Sequence, residues 1–258
     1  MAAAIAKAEA RWVELEEVDS TNAEAMRRAL AGERGPLYIR ADRQTAGRGR
    51  SGRVWEAPTG NLALSRLGRT GAPAGAVPQL SLVAGVAVYK SAAAALGLGD
   101  NARRLLLKWP NDVLLDGAKL AGILVEATTV GGEQIAVIGI GLNVAHAPEI
   151  PGRRTAALAA VAGPEPVLSD VTRDVARHLD DALALWDEGR GFDAIRHAWL
   201  SASTPKGTAM TIENRMGQVT GFFRGLDADG ALVLVDGEGR LRRYAYGDVT
   251  LASEQEMS

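Results

Sequence analysis

Cysteine is absent from this chain of 258 residues. That one absence excludes disulfides, thiol nucleophiles and thiolate metal sites together. Histidine is scarce. His146, His178 and His197 stand far apart, with no HExxH-like spacing, so a zinc site is not expected. No sign of charge dominates: 31 acidic residues face 29 basic ones, for a net charge of −2. A dedicated DNA or RNA binder would carry a clear positive excess. No apolar run is long enough to span a bilayer, and the Ala-rich residues 1–10 lack the apolar core of a secretion signal. These absences lead us to expect a cytoplasmic protein that uses neither membrane nor DNA.

Against that plain background one stretch stands out, Gly47-Arg48-Gly49-Arg50-Ser51-Gly52-Arg53, followed by Val54-Trp55. Three glycines and three arginines alternate in a short loop between apolar runs. Such a loop offers backbone N–H groups and guanidinium forks to a dense negative charge, with an indole beside it. A phosphorylated nucleotide fits, because arginine pairs bidentately with phosphate and tryptophan stacks on a base. Alone, the loop also reads as solvated surface or as an RNA-binding arginine stretch.

The rest of the chain supplies the frame. Residues 15–18, 37–41, 62–64, 105–108, 113–115, 120–125 and 135–140 read as strands. Asp116-Gly117 and Gly131-Gly132 are hairpin signals. Met26, Ala29 and Leu30 follow Asp19-Ser20-Thr21-Asn22 at helical spacing, with N-cap residue types in front. Residues 80–96 form a helix apolar nearly all round, which implies burial against a sheet. Two more helices carry Val171, Val175, Leu179, Leu183 and Trp186, then Phe192, Ile195 and Trp199. Residues 42–54, 68–77 and 145–166 read as loops. After Pro205, short alternating strands separated by Asp229-Gly230 and Asp236-Gly237 suggest a small β-barrel. The expected plan is α+β, a mostly antiparallel sheet with inserted helices. Its domains would be residues 1–204 and 205–258.

Four further motifs bear on chemistry. Ser20-Thr21-Asn22 offers hydroxyls and helix N-terminal amides, suited to a carbonyl or ureido group as well as to a plain cap. Lys108-Trp109-Pro110-Asn111-Asp112 is a turn by residue type, and Asn111 and Asp112 could face a ligand or its metal. Lys119 stands before Leu120-Ala121-Gly122. Only five of the 29 basic residues are lysines (Lys7, Lys90, Lys108, Lys119 and Lys206). A lysine in so arginine-rich a chain can mark a place for a compact point charge. Gly139-Ile140-Gly141-Leu142-Asn143 puts alternating glycines in a strand, which lets a flat group approach closely or marks a bulge. It does not open a helix, so a Rossmann site is not supported.

Taken together and in this order, the motifs resemble those of the biotin protein ligase family, from about residue 14 to 252. The match includes Gln44-Thr45-Ala46 ahead of the Gly/Arg loop. The resemblance implies a class II synthetase-like, biotin–lipoate ligase fold with a C-terminal SH3-like barrel. It implies a two-step reaction: ATP and biotin form biotinyl-5′-AMP, with Mg²⁺, and the biotinyl group passes to one lysine of a carboxylase's biotin carboxyl carrier domain. By the same resemblance Ser20, Thr21, Asn22 and Gln44 hold the biotin rings, backed by Gly47 and Arg48. Gly122, Gly139 and Gly141 let the ligand lie close to the sheet. Arg50 and Lys119 contact the biotin carboxyl and phosphate and serve as the catalytic pair. Arg53 meets the phosphates, Trp55 covers the adenine, Asn111 and Asn143 lie near the adenylate, and Asp112 is a metal candidate. Ser51 and Val54 depart from residues often found there. The family's repressor members carry an N-terminal winged helix-turn-helix, for which there is no room before residue 14, so no repressor function is expected. Lipoate or octanoate transfer, nucleic-acid binding by the Gly/Arg loop, and a non-catalytic adaptor role are the competing readings. Monomer and homodimer remain open.

Overall fold

The computed structural model describes residues 9–97, 104–163, 165–214 and 217–251. Residues 1–8 of the Ala-rich start and 252–258 of the expected barrel lie outside the described residues. The first sheet has seven strands in the order β1-β2-β3-β7-β6-β5-β4. These are β1 (Arg11–Val18), β2 (Leu37–Gln44), β3 (Leu62–Arg69), β4 (Leu105–Lys108), β5 (Asp112–Leu115), β6 (Ala118–Val130) and β7 (Glu133–Leu142). Among these described strands only β1 and β2 pair in parallel. Between them α1 (Thr21–Leu30) carries the chain back across the sheet, the crossover that parallel neighbours need.

The hairpin signals are real turns. Asp116 and Gly117 have φ of 50° and 75°, and Gly131 and Gly132 have 60° and 81°. Both pairs are left-handed, as a turn matched to strand twist requires. Every strand of this sheet except β4 runs longer than its apolar core indicated, and β6 reaches Val130. β1 begins at Arg11, β2 reaches Gln44 and β3 reaches Arg69, because pairing extends past the last apolar residue.

Helices cover both faces of this sheet. On one face, α1 packs Ala25 and Ala29 on Leu37, Ile39, Leu67, Ile135 and Val137. On the other lie α2 (Gln79–Ala95), α3 (Leu168–Trp186) and α4 (Phe192–Ser201). Helix α2 is buried nearly all round, including Leu80, Val83, Ala84, Val86 and Ala87. It needs no polar side because it packs on the sheet and against both α3 and α4. Among the described residues, no helix is long and apolar enough to cross a membrane.

The second sheet is antiparallel, in the order β11-β10-β9-β8-β12. It contains β8 (Ala209–Asn214), β9 (Gly217–Leu226), β10 (Leu232–Val235), β11 (Leu241–Tyr244) and β12 (Asp248–Leu251). Its turns at 227–231 and 236–240 share one device. Asp227 Oδ1 accepts from the amides of Asp229 and Ala231, and Asp236 Oδ1 from those of Glu238 and Arg240. The left-handed residues are Gly230 and Gly239. Asp236-Gly237 is therefore the start of a five-residue turn held by the aspartate side chain.

Candidate functional site

A cavity of about 600 Å³ opens on the α1 face of the first sheet. Its floor is a strand row of small residues. Ala41, Ala63, Gly141 and Gly122 lie side by side across β2, β3, β7 and β6, and Asp112 of β5 ends the row. This flatness is used by a protein side chain. A Cβ on Gly141 would stand 2.2 Å from Trp55 Cε2, and one on Gly122 would stand 3.0 Å from Trp55 Cζ3. The indole thus lies directly on the gaps that the two glycines leave. The close approach expected there is made by Trp55, whose far side can meet a ligand.

The neighbouring row contains Ile39, Ser65, Gly139 and Leu124. A Cβ on Gly139 would be 2.2 Å from Asn22 Oδ1, so this gap holds a carboxamide. Asn22 Nδ2 donates to Leu124 O at 3.2 Å and to Glu126 Oε2 at 2.8 Å, while its Oδ1 accepts from the Ser65 hydroxyl at 2.6 Å. Asn22, expected as a biotin contact, lines the cavity, and its polar atoms also brace α1 against the sheet. Its neighbours keep some capacity. Gln44 Oε1 accepts from the Thr21 amide at 2.8 Å and faces the Thr21 hydroxyl at 3.2 Å. Ser20 stands at the N-cap of α1 but makes no side-chain cap bond. Ser20, Thr21 and Gln44 all line the cavity.

The Gly/Arg loop is a miniature hairpin. Arg48 bridges Val54, the Gly49 amide donates to Arg53 O, and the Arg53 amide donates to Arg50 O. Ser51 and Gly52 turn with φ of 56° and 74°. Gly47 allows the closure, since a Cβ there would fall 2.3 Å from Trp55 O. That backbone packing, rather than a place in the cavity lining, is what the structure gives Gly47.

The three arginines diverge from this hairpin. Arg53 Nη2 meets Asp248 Oδ1 at 2.6 Å. Arg50 donates to Asn111 Oδ1 at 3.2 Å and to Gly247 O at 3.1 Å, with Asp248 at 3.6 Å. Burial pushes the Arg50 guanidinium below its ordinary pKa, partly offset by Asp248. Arg48 turns the other way, 3.6 Å from Glu126. Asn111 lines the cavity and also donates to Ile123 O, which fixes its oxygen toward Arg50.

Lys119 Nζ donates to Asp112 Oδ1 at 2.6 Å and lies 5.6 Å from the Trp55 ring centre. Burial alone would raise the Asp112 carboxyl. Lys119 and then Lys108 outweigh it and hold the group below its ordinary 3.8. Asp112 is thus the partner of Lys119. No group of three or more His, Cys, Asp or Glu suited to a metal occurs among the described residues. Asp112 therefore has no second and third acidic or histidine partner among these residues to form a protein cage for a metal with it.

The pair predicts a measurable stability effect. Asp112→Asn should lower the free energy of unfolding by about 2 kcal/mol near neutral pH, because it strands a half-buried ammonium. A carboxyl held low stabilises above its ordinary value, and loses that stabilisation as pH falls through the folded value. The gap between wild type and variant should therefore shrink below about pH 3.8 in denaturant titrations. A gap that stays constant down to pH 3 would show that the pair is not its source.

Asn143, expected beside the adenylate, does not line the cavity. It is 1% exposed, and its Nδ2 donates to Ala156 O at 3.0 Å and Lys119 O at 3.4 Å. These bonds hold the backbone beside Lys119. Three other residues escaped the sequence reading. Ser65 is a fully buried hydroxyl in an apolar strand, and that break in alternation was the available signal. Glu126 and Asp248 carried none, since their partners lie far away in sequence.

With this geometry in view, comparison with known proteins is specific. Residues 15–143 match the Biotin/lipoate A/B protein ligase family, and residues 210–251 match the Biotin protein ligase C terminal domain. The chain is 40% identical over 240 residues to the biotin--[acetyl-CoA-carboxylase] ligase of Paracoccus denitrificans, covering 88% of this chain and 95% of that one. It is 34% identical to the Mycobacterium tuberculosis ligase of the same name, covering 92% and 89%. Among solved structures, the Aquifex aeolicus biotin protein ligase in complex with biotin and ATP superposes with a TM-score of 0.77 at 27% identity, covering 93% of this chain and 98% of that one. The seven-stranded sheet and the second, antiparallel sheet agree with these matches, and the chain belongs to the biotin protein ligases.

Proposed function

We propose that this chain joins biotin to ATP as biotinyl-5′-AMP and passes the biotinyl group to one lysine of a carboxylase's carrier domain. The observation that carries the reading is the meeting of two unlike sets of groups in one cavity. Hydroxyl and amide groups of Ser20, Thr21 and Gln44 line one part, and Lys119, Arg50 and Arg53 line another, with Trp55 between strand floor and solvent. A ureido ring satisfies the first set. A lipoyl or octanoyl chain would leave the Ser20 hydroxyl and the Gln44 amide nitrogen unpaired, which a hydrogen-bonding site rejects.

In this reading a biotin carboxylate oxygen attacks the α-phosphorus, and the bond to the bridging oxygen breaks to release pyrophosphate. Two anions must meet, so the barrier is largely electrostatic. Lys119 stands between carboxylate and α-phosphate, Arg50 beside them, and Arg53 on the outer phosphates. A Mg²⁺ ion bound to the triphosphate would supply further neutralisation. The free face of Trp55 takes the adenine. In the second step the carrier lysine amine attacks the acyl carbon and AMP leaves, with no covalent bond to the enzyme. We assign residues 1–204 to binding and chemistry. Residues 205–258 include Gly247 and Asp248, which anchor Arg50 and Arg53.

The test is ATP–pyrophosphate exchange with Mg²⁺ and biotin, lipoate, octanoate or no acid. Exchange stimulated by biotin alone is expected, followed by labelling of a carrier domain at one lysine. Exchange with lipoate or octanoate instead would replace the substrate. Biotin plus ATP should protect residues 42–54 from trypsin by roughly tenfold, as expected of a loop recruited by its ligand. Unchanged or faster cleavage with biotin plus ATP would count against a closing loop.

A further inference from the structure

We propose that Glu126 is a positioning residue that clamps the first arm of the Gly/Arg loop to α1 and the sheet. Resting on the adenylation reading above, it adds a residue that touches neither substrate. Glu126 ends a strand row whose other members are Leu37, Leu67 and Val137. A carboxylate at the end of an apolar row needs polar partners, and it has one on each oxygen. Oε2 accepts from Asn22 Nδ2 at 2.8 Å, and Oε1 faces Arg48 Nη2 at 3.6 Å.

The first partner cannot turn away. Asn22 sits in the Gly139 gap, held by Leu124 O and the Ser65 hydroxyl. Its rigidity fixes the Glu126 carboxylate, and hence the direction offered to Arg48. Arg50 and Arg53 pull the loop the opposite way, toward Gly247 and Asp248. The hairpin is therefore held from two sides, and Glu126 holds the side adjoining Thr21 and Gln44. Released from it, the arm bearing Gly47 and Arg48 swings more freely and the adenylate beneath escapes sooner.

Two substitutions separate the halves of the clamp. Glu126→Gln keeps an acceptor for Asn22 but removes the charge facing Arg48, and Glu126→Ala removes both. Glu126→Gln should release labelled biotinyl-adenylate about three- to fivefold faster in a chase and raise the biotin KM similarly, the scale of a half-exposed ion pair. The kcat should stay within about twofold. Glu126→Ala should accelerate release by about tenfold or more, because Asn22 also loses its acceptor. Arg48→Gln combined with Glu126→Gln should be no worse than the stronger single change. Trypsin cleavage of the ligand-free loop should rise about three- to fivefold in Glu126→Gln, a readout independent of activity. Wild-type release and cleavage rates in Glu126→Gln, or effects of the two changes that multiply, would overturn the proposal. Absence of biotin-dependent exchange in the wild type would overturn the adenylation reading instead, and cleavage would still decide the role of Glu126.

Discussion

Lys119→Arg is expected to cut biotin-dependent ATP–pyrophosphate exchange by about 100- to 1,000-fold, the usual effect of misplacing one preorganised group at a developing charge. The substitution keeps the charge, so the loss must come from shape. Apart from its side toward the cavity, Lys119 is confined. Its Nζ is 2.6 Å from Asp112, and Cε and Nζ both lie 3.3 Å from where a Cβ on Gly122 would be. The Trp55 ring covers it at 5.6 Å. The backbone cannot yield either, since the Lys119 amide donates to Arg154 O and its carbonyl accepts from the Ala156 amide and Asn143. A planar guanidinium is wider and presents a fork in place of a point. It can pair with Asp112 only by lifting Trp55, or spare Trp55 only by leaving Asp112. Because the counter-charge survives, Lys119→Arg should unfold within a few degrees of wild type. Near-wild-type exchange would mean that Lys119 merely neutralises Asp112.

What could be read ahead of the structure followed from residues with few alternative uses. Glycine and arginine alternating before a tryptophan, and a lysine in a chain that prefers arginine, point toward phosphate chemistry because so little else requires them. The sheet was legible for the same reason: Asp116-Gly117 and Gly131-Gly132 turn one way only. The cavity lining was legible in membership but less so in role. Asn22 and Asn143 lie inside motifs that suggest ligand contact, yet both spend their amides on the protein. A motif reports that a residue is required near a site, and bracing satisfies that requirement as well as contact does. Asp248 was invisible because it reaches Arg53 across 195 positions. Glu126 was invisible because an acidic residue on a long strand usually faces water.

Gly141→Ala should raise the ATP KM by about 10- to 100-fold, the range of one lost base–aromatic stack, while biotin affinity changes by no more than about threefold. One methyl group suffices because there is no room for it. It would lie 2.2, 2.3 and 2.5 Å from Cε2, Nε1 and Cζ2 of Trp55, so the indole must rise by more than about 1 Å to restore ordinary contact. The strand cannot give way, paired on one side with β3 and on the other with β6. Nor can the Trp55 backbone, whose amide donates to Gly47 O and whose carbonyl packs on Gly47 Cα too closely for any side chain. The whole displacement therefore falls on the ring. Thr21 and Gln44 are spared, because their bonds run to each other and to Ser65. Combining Gly141→Ala with Trp55→Phe supplies the control, since a phenyl ring is smaller and still stacks. If the double variant recovers part of the ATP affinity, the single loss is a displaced platform. An ATP KM in Gly141→Ala equal to that of wild type would show that the nucleotide does not rest on Trp55, and the glycines would then serve packing alone.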